Sequence, residues 1–329
     1  MSGDFLEQMA QASRARVLQA RRACSEAALR ARALAAPPPP RLVLADAGFD
    51  LIAEVKLRSP ASDALRSDRP ARARAADLAA DAGGAAPPAA GDELRARVSA
   101  YAAAGAAAIS VLTEPSRFDG ALEHLAQAAE VLGGHAPASP AGQTPRCGPV
   151  ARRVPVMRKD FLVDPYQVYE ARAAGAGGAL VILRLLEAAA QRALLEACAE
   201  LGLFVLLEAF DERDLARAAE LVSAYRARVT LLVGINCRDL GTLQVVPGRL
   251  EALAPRLPPG VPHVAESGVE GGADAARLAR AGYDVALVGS ALMRAADPGA
   301  VARDILEQGR RARAAQALTA PVSICSSEL

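Results

Sequence analysis

The chain has 329 residues, 52% of them apolar and 23% charged, with a formal net charge of +1. That is ample material for a large core and no electrostatic bias, which predicts a soluble globular protein and excludes a basic nucleic-acid binder: the arginines at 13–32 and 66–74 alternate with Ala, Asp and Glu, and aromatic residues are only 3%. The five cysteines, Cys24, Cys147, Cys198, Cys237 and Cys325, are odd in number, far apart and never in a CxxC pair, and there are only three histidines, so a disulfide framework and a zinc site are both excluded on spacing.

The opening stretch, "MSGDFLEQMAQASRARVLQARRACSEAALRARALAA", holds no apolar run long enough for a signal peptide, and nowhere do 18 apolar residues follow one another. A cytoplasmic protein without membrane contact is expected. Residues 5–35 contain no helix breaker, and Phe5, Met9, Val17 and Leu18 recur at roughly helical spacing, which predicts an amphipathic helix ended by "PPPP" at 37–40. Residues 1–40 are therefore read as an N-terminal helical extension.

Short apolar runs follow: "LIAEV" 51–55, "AAIS" 107–110 with "VL" after it, "VPVM" 154–157, "ALVIL" 179–183, "LFVLL" 203–207, "LLVGI" 231–235, "PHVA" 262–265 and "DVALV" 284–288. From the third run on, successive starts lie 22–31 residues apart, and each gap holds a stretch such as "DERDLARAAELVSAYRA" with helical periodicity. Strand and helix in alternation mean parallel pairing. Eight such units over residues 41–310 predict a closed (β/α)8 barrel in preference to an open doubly wound sheet, which more often stops at five to seven strands. Two Ala/Pro/Gly-rich segments, at about 62–93 and 133–149, read as surface insertions, and residues 311–329 as a C-terminal tail.

Every run but the second and fourth ends on residues capable of chemistry: Glu54 and Lys56, Lys159, Glu208, Asn236, Glu266 with Ser267, and Gly289 with Ser290. In a barrel these positions form the C-terminal rim, where active sites sit. Strand alternation puts Glu54 and Lys56 on one face, and in "PVMRKDF", 155–161, it turns Lys159 inward and Arg158 and Asp160 outward, toward helices and solvent. Gly268 after the seventh run and Gly289 with Ser290 after the eighth let backbone N–H groups approach an anion at helix starts, which marks these loops as a phosphate site.

The segments "IAEVKLRSP", "ISVLTEPSRFDGALEHL", "PVMRKDFLVDPYQVYEARAAGA", "LLVGINCRDLGTL" and "VAESGV" resemble, in order, the signature segments of indole-3-glycerol phosphate synthase, over residues 49–306. The resemblance implies a (β/α)8 barrel with an N-terminal helical extension, no cofactor and no metal. It implies conversion of 1-(2-carboxyphenylamino)-1-deoxyribulose 5-phosphate to indole-3-glycerol phosphate, carbon dioxide and water in tryptophan biosynthesis. Lys159 matches the general acid that protonates the ribulose carbonyl, Glu208 the acid/base of the later proton transfers, and Lys56, with Glu54 beside it, a lysine that contacts the anionic substrate and is a second candidate acid. Asn236 and Glu266 resemble residues that orient substrate hydroxyls and the lysines. Ser267, Gly268, Gly289 and Ser290 resemble the phosphate cradle, while Ser59, Phe161 and Arg238 match the aromatic and carboxylate end. A neighbouring ammonium and partial burial would lower the pKa of such a lysine toward a useful range. The partner implied is a phosphorylated small molecule; a monomer and an association with other tryptophan-pathway enzymes both remain open.

The chain departs from the family where members usually continue "SPS-K-G" into a short loop that closes over the site: here "SPASDALRSDRPARARA" leads into the long insertion. Two other readings compete. Phosphoribosylanthranilate isomerase, another phosphate-binding barrel, relies on a Cys and Asp pair that no strand end offers, since Cys237 should point away from the pocket. A non-catalytic phosphometabolite-binding paralogue would lose an acid or base first, yet both lysines and Glu208 are present.

Overall fold

A computed structural model of the protein describes residues 2–46, 48–56, 90–133, 153–240 and 242–319. Ser59 and nearly all of both insertions lie outside the described residues. The exception is informative: Ala90–Ala103 is a helix, so the end of the 62–93 segment is its first turn, with Asp92 and Glu93 at the end where a helix dipole favours negative charge.

The strands are Asp50–Val55 (β1), Ala108–Leu112 (β2), Val156–Lys159 (β3), Gly178–Ile182 (β4), Phe204–Ala209 (β5), Leu231–Asn236 (β6), His263–Glu266 (β7) and Val285–Val288 (β8). Each pairs in parallel with the next, and β8 closes on β1 with Asp50 opposite Val285 and Ala53 opposite Val288. This is the predicted (β/α)8 barrel. The strands are apolar over most of their length because both faces are covered, with polar residues gathered mainly toward their ends.

Side chains alternate between two apolar layers. Ile52, Ala108, Met157, Leu180, Phe204, Leu206, Leu232, Val264 and Val285 fill the barrel interior, while Leu51, Ile109, Val156, Val181, Val205 and Val233 face the surrounding helices. Each fully buried Leu, Ile, Val or Phe contributes roughly 1.5–3 kcal/mol. Gly178 makes room inside: a Cβ there would stand 2.3 Å from the Phe204 ring.

The helices are Ser2–Ala23 (α1), Glu26–Ala35 (α2), Ala90–Ala103 (α3), Pro115–Phe118 (α4), Leu122–Val131 (α5), Pro165–Ala173 (α6), Ala188–Leu201 (α7), Glu212–Tyr225 (α8), Arg249–Leu253 (α9), Gly272–Ala281 (α10), Ser290–Arg294 (α11) and Pro298–Thr319 (α12). Their starts are written locally: Asp164 and Asp211 cap α6 and α8 by accepting from the backbone N–H of Tyr166 and Asp214.

Three expectations are corrected. The single helix expected over 5–35 is two, because Ser25 turns its hydroxyl to the N–H of Ala28 and starts α2 afresh. Leu18, counted on the apolar face of α1, is 63% exposed, whereas Met9 and Val17 are buried. The barrel's last helix continues past 310 to Thr319, with Arg313 paired to Asp284 and the Gln316 amide donating to the carbonyl of Arg280 at 2.8 Å. Among the described residues, no helix is long and apolar enough to cross a membrane.

Candidate active site

The last inward-facing residues of the strands converge on one pocket at the C-terminal end of the barrel. Glu54, Lys159, Glu208, Asn236 and Glu266 reach it from β1, β3, β5, β6 and β7, and Lys56, Phe161, Arg238, Ser267, Gly268, Gly289 and Ser290 join from the loops. Every candidate within the described residues is therefore brought to one cavity. The two runs that end without polar residues supply Leu112 and Ile182 to its wall.

The charges form two linked groups. Lys159 donates to Glu208 at 3.0 Å and stands 3.6 Å from Glu266. Lys56 donates to Glu54 at 2.9 Å and to the Ser290 hydroxyl at 3.1 Å, the shared strand face that alternation predicted. Asn236 is fixed by its amide oxygen, which accepts from the Ser267 hydroxyl at 2.9 Å and from the backbone N–H of Arg238 at 3.0 Å. Ser267 has a left-handed φ of 68° and is followed by Gly268 at 71°. A non-glycine residue there is strained, and the hydrogen bond to Asn236 holds it. Two glycines shape the floor: a Cβ on Gly234 would stand 2.1 Å from Glu266 Oε1, and one on Gly289 would stand 2.4 Å from Glu54 Oε1. Both carboxylates lie in notches that any side chain would fill.

The electrostatics correct one expectation. Burial pushes the Lys159 ammonium toward a lower pKa, but the charges of Glu208, Glu266 and Glu54 outweigh it and raise the pKa instead. Lys159 thus stays protonated at neutral pH. For Glu54, burial pushes upward and is outweighed by Lys56, Lys159 and Arg238, which hold the carboxyl below its ordinary value. For Glu266, burial and the neighbouring Glu208 charge prevail over Lys159 and raise the pKa well above 4.5. Neither Glu266 oxygen accepts from an N–H or hydroxyl donor, and its proximity to the Glu208 carboxyl favours a proton shared between the two.

Arg158 and Asp160 do face away from the pocket interior, but not toward solvent. Both are buried, and Arg158 donates to Asp160 at 3.1 Å, to Glu170 at 3.0 Å and to the carbonyl of Gln167 at 2.8 Å. The charges sit in a closed network between β3 and α6, which is how three charged residues can end a buried strand.

The model of the indole-3-glycerol phosphate synthase family matches residues 92–305. The chain belongs to the indole-3-glycerol phosphate synthase family. Relatives of that name from Parafrankia sp. (strain EAN1pec) and Mycolicibacterium smegmatis are 37% and 35% identical, over 92% and 85% of this chain and 96% and 86% of theirs. A solved 3-hexulose-6-phosphate synthase from Salmonella typhimurium superposes with a TM-score of 0.53 at 15% identity, covering 79% of this chain and 98% of that one, a likeness of fold alone. The family's members are decarboxylating lyases of tryptophan biosynthesis, so the enzyme's pocket has to hold a substrate with an aromatic ring and carboxylate at one end and a phosphate at the other.

Of the pocket's apolar end the sequence reading named Phe161 and missed Phe5 and Phe118. Phe5 of α1 packs edge-on to Phe161 with ring centroids 6.0 Å apart, and Phe118 of α4 lies 6.4 Å from the same ring. Phe5 belongs to a helical apolar stripe, which in a sequence reads as core packing. Leu180 and Leu287 continue the wall below the rim.

The buried Glu266 carries a testable cost. A carboxyl whose folded pKa is raised contributes stability at low pH and loses it as pH rises through the folded value. Glu266→Gln should therefore raise the melting temperature of the enzyme at pH 8, with the gain shrinking as the pH is lowered toward 4.5, while activity falls. A melting temperature lowered at pH 8 in differential scanning calorimetry would mean that the pairing with Lys159 outweighs the cost of burial.

Proposed function

We propose that this enzyme closes the indole ring with Lys159 as the proton donor, Glu208 as the acid/base of dehydration, and Lys56 with the β7 and β8 loops as the phosphate anchor. The observation that carries the reading is a part-buried ammonium held by two buried carboxylates, in a cavity also lined by the aromatic ring of Phe161 and by a polar cradle of Ser267, Gly268, Gly289 and Ser290. Those two ends match the two ends of the substrate.

The chemistry follows from the pocket's groups. The ring carbon bearing the carboxylate attacks the ribulose carbonyl carbon, and the Lys159 proton passes to the carbonyl oxygen, which becomes a hydroxyl. Carbon dioxide leaves, and its bonding electrons return to the ring and restore aromaticity. The hydroxyl then departs as water after receiving a proton, and the carbon next to nitrogen loses a proton to a base. Glu208, in hydrogen-bond contact with Lys159, can exchange protons with it and serve each direction in turn. Glu54 positions the Lys56 side chain beside Ser290, where a phosphate would sit. Arg238 offers a guanidinium to the substrate carboxylate, with one nitrogen already anchored on the carbonyl of Leu243 at 2.5 Å. A substrate charged at both ends supports a cytoplasmic location.

Glu208→Gln separates the steps. Carbon dioxide release from carboxyl-labelled substrate should persist in a single turnover, while indole fluorescence appears about 10²-fold more slowly. Equal loss of both signals would place Glu208 at ring closure.

A further inference from the structure

We propose that Arg16 and Ser13 of the N-terminal helix α1 are positioning residues for catalysis, latching the backbone that follows Lys159 and so fixing where its ammonium meets the substrate. The inference rests on Lys159 being the proton donor. Lys159 is the last residue of β3, and the sheet holds it from one side only: it pairs with Leu112 of β2, and Thr113 donates its N–H to the Lys159 carbonyl at 3.0 Å, but the register with β4 stops at Arg158. Beyond Lys159 the chain leaves the barrel ladder, and a side chain on such an end is only as well placed as the segment after it.

That segment is held by α1. The Ser13 hydroxyl, fully buried, donates to the carbonyl of Phe161 at 2.6 Å and accepts from the Gln167 amide at 2.9 Å. One turn further along α1, Arg16 donates to Asp160 Oδ1 at 2.8 Å, and the same oxygen accepts the backbone N–H of Phe161 at 2.8 Å. Asp160 Oδ2 takes the Thr113 hydroxyl at 2.8 Å and Arg158 at 3.1 Å. Both backbone groups of Phe161 are thus satisfied by this cluster and not by the sheet, and the two residues next in line after Lys159 are tied to one face of α1.

The charges make Arg16 the decisive member. Asp160 and Glu114 are fully shielded, and Arg16 reaches both, with Glu114 Oε1 at 3.5 Å. Arg158 alone has to divide itself between Asp160 and Glu170. Without Arg16 the Asp160 carboxylate loses its α1 partner, and the segment after Lys159 keeps Ser13 as its remaining hydrogen bond to the helix. The network lies on the outer side of β3, and of Ser13, Arg16, Glu114, Arg158 and Asp160 only Asp160 borders the pocket, so its effect is expected to run through Lys159 and Phe161. Phe5 on the same helix reaches the pocket directly, so the two contributions of α1 can be separated.

The test is steady-state kinetics on Arg16→Met, Arg16→Lys, Phe5→Ala and Lys159→Ala, at a temperature where circular dichroism shows each folded. Arg16→Met keeps the length of the side chain and removes its charge; it should lower kcat about 10-fold, as expected for a displacement well below the ~1 Å that costs about 10²-fold. Arg16→Lys, able to reach Asp160, should recover most of the loss. Phe5→Ala should raise KM and leave kcat nearly unchanged. An Arg16→Met enzyme with a lowered melting temperature but normal kcat would overturn the inference and leave the network a purely structural one, as would an Arg16→Met variant that only reproduces the KM change of Phe5→Ala. If Lys159→Ala retained turnover, the donor assignment itself would fail, and the latch with it; an inactive Lys159→Ala beside a normal Arg16→Met removes the latch alone.

Discussion

Lys159→Ala is expected to lower turnover by about 10²–10⁴-fold with little change in substrate affinity, the range for the loss of one acid–base group. The geometry makes the outcome selective. Lys159 is 3.0 Å from Glu208 and 3.6 Å from Glu266, deep on the strand end, whereas the groups suited to bind phosphate cluster around Lys56 and Ser290. If Lys159 is the proton donor, removing the ammonium takes the donor from the carbonyl oxygen and leaves Lys56 and Ser290 in place. It also leaves two buried carboxylates facing one another, a cost limited by the readiness of Glu266, whose pKa is already raised, to take up a proton. Turnover is therefore normalised to folded enzyme, and the rate is followed by indole fluorescence. Because the surrounding carboxylates raise the Lys159 pKa, kcat/KM of the native enzyme should show no basic limb from this group in the neutral range. Near-normal turnover with weakened binding in Lys159→Ala would make this lysine a carboxylate anchor and shift the role of acid to Lys56.

Ser290→Asp is expected to raise KM by about 10²-fold or more. Ser290 opens α11, and its hydroxyl is 3.1 Å from the Lys56 ammonium. A carboxylate there competes with the substrate phosphate for Lys56 and repels it as well. Like charges about 4 Å apart near a protein surface interact by roughly 4 kcal/mol, and even half of that is over 10-fold in affinity for each unit of phosphate charge. Ser290→Ala is the control: losing one hydroxyl hydrogen bond is worth about 0.5–1.5 kcal/mol, or roughly 2- to 10-fold. The barrel should tolerate both, because the side chain is partly exposed at the rim. An unchanged KM for Ser290→Asp would place the phosphate elsewhere.

Much of this site is written in local periodicities. The alternation of mostly apolar runs with helical stretches pointed to a parallel sheet covered on both faces, and the count of eight units to its closure as a barrel. Period-two geometry placed Glu54 and Lys56 on one face and turned Lys159 away from Arg158 and Asp160, since neighbouring strand residues must point to opposite sides. Those relations hold within a few residues, and a sequence expresses them directly. What surrounds each group is a different matter. Lys159 meets Glu208 across 49 positions of chain, and Ser13 meets Phe161 across 148. The direction of the Lys159 pKa shift depends on how many carboxylates those closures bring near it, and so it reversed from the expectation based on one neighbouring ammonium. The burial of Arg158 and Asp160 likewise depends on α1 and α6 arriving with matching charges. Phe5 reads as one more apolar position of an amphipathic helix until the fold sets that helix beside Phe161. Contacts of this kind are fixed by the distances between elements, which only the tertiary structure sets.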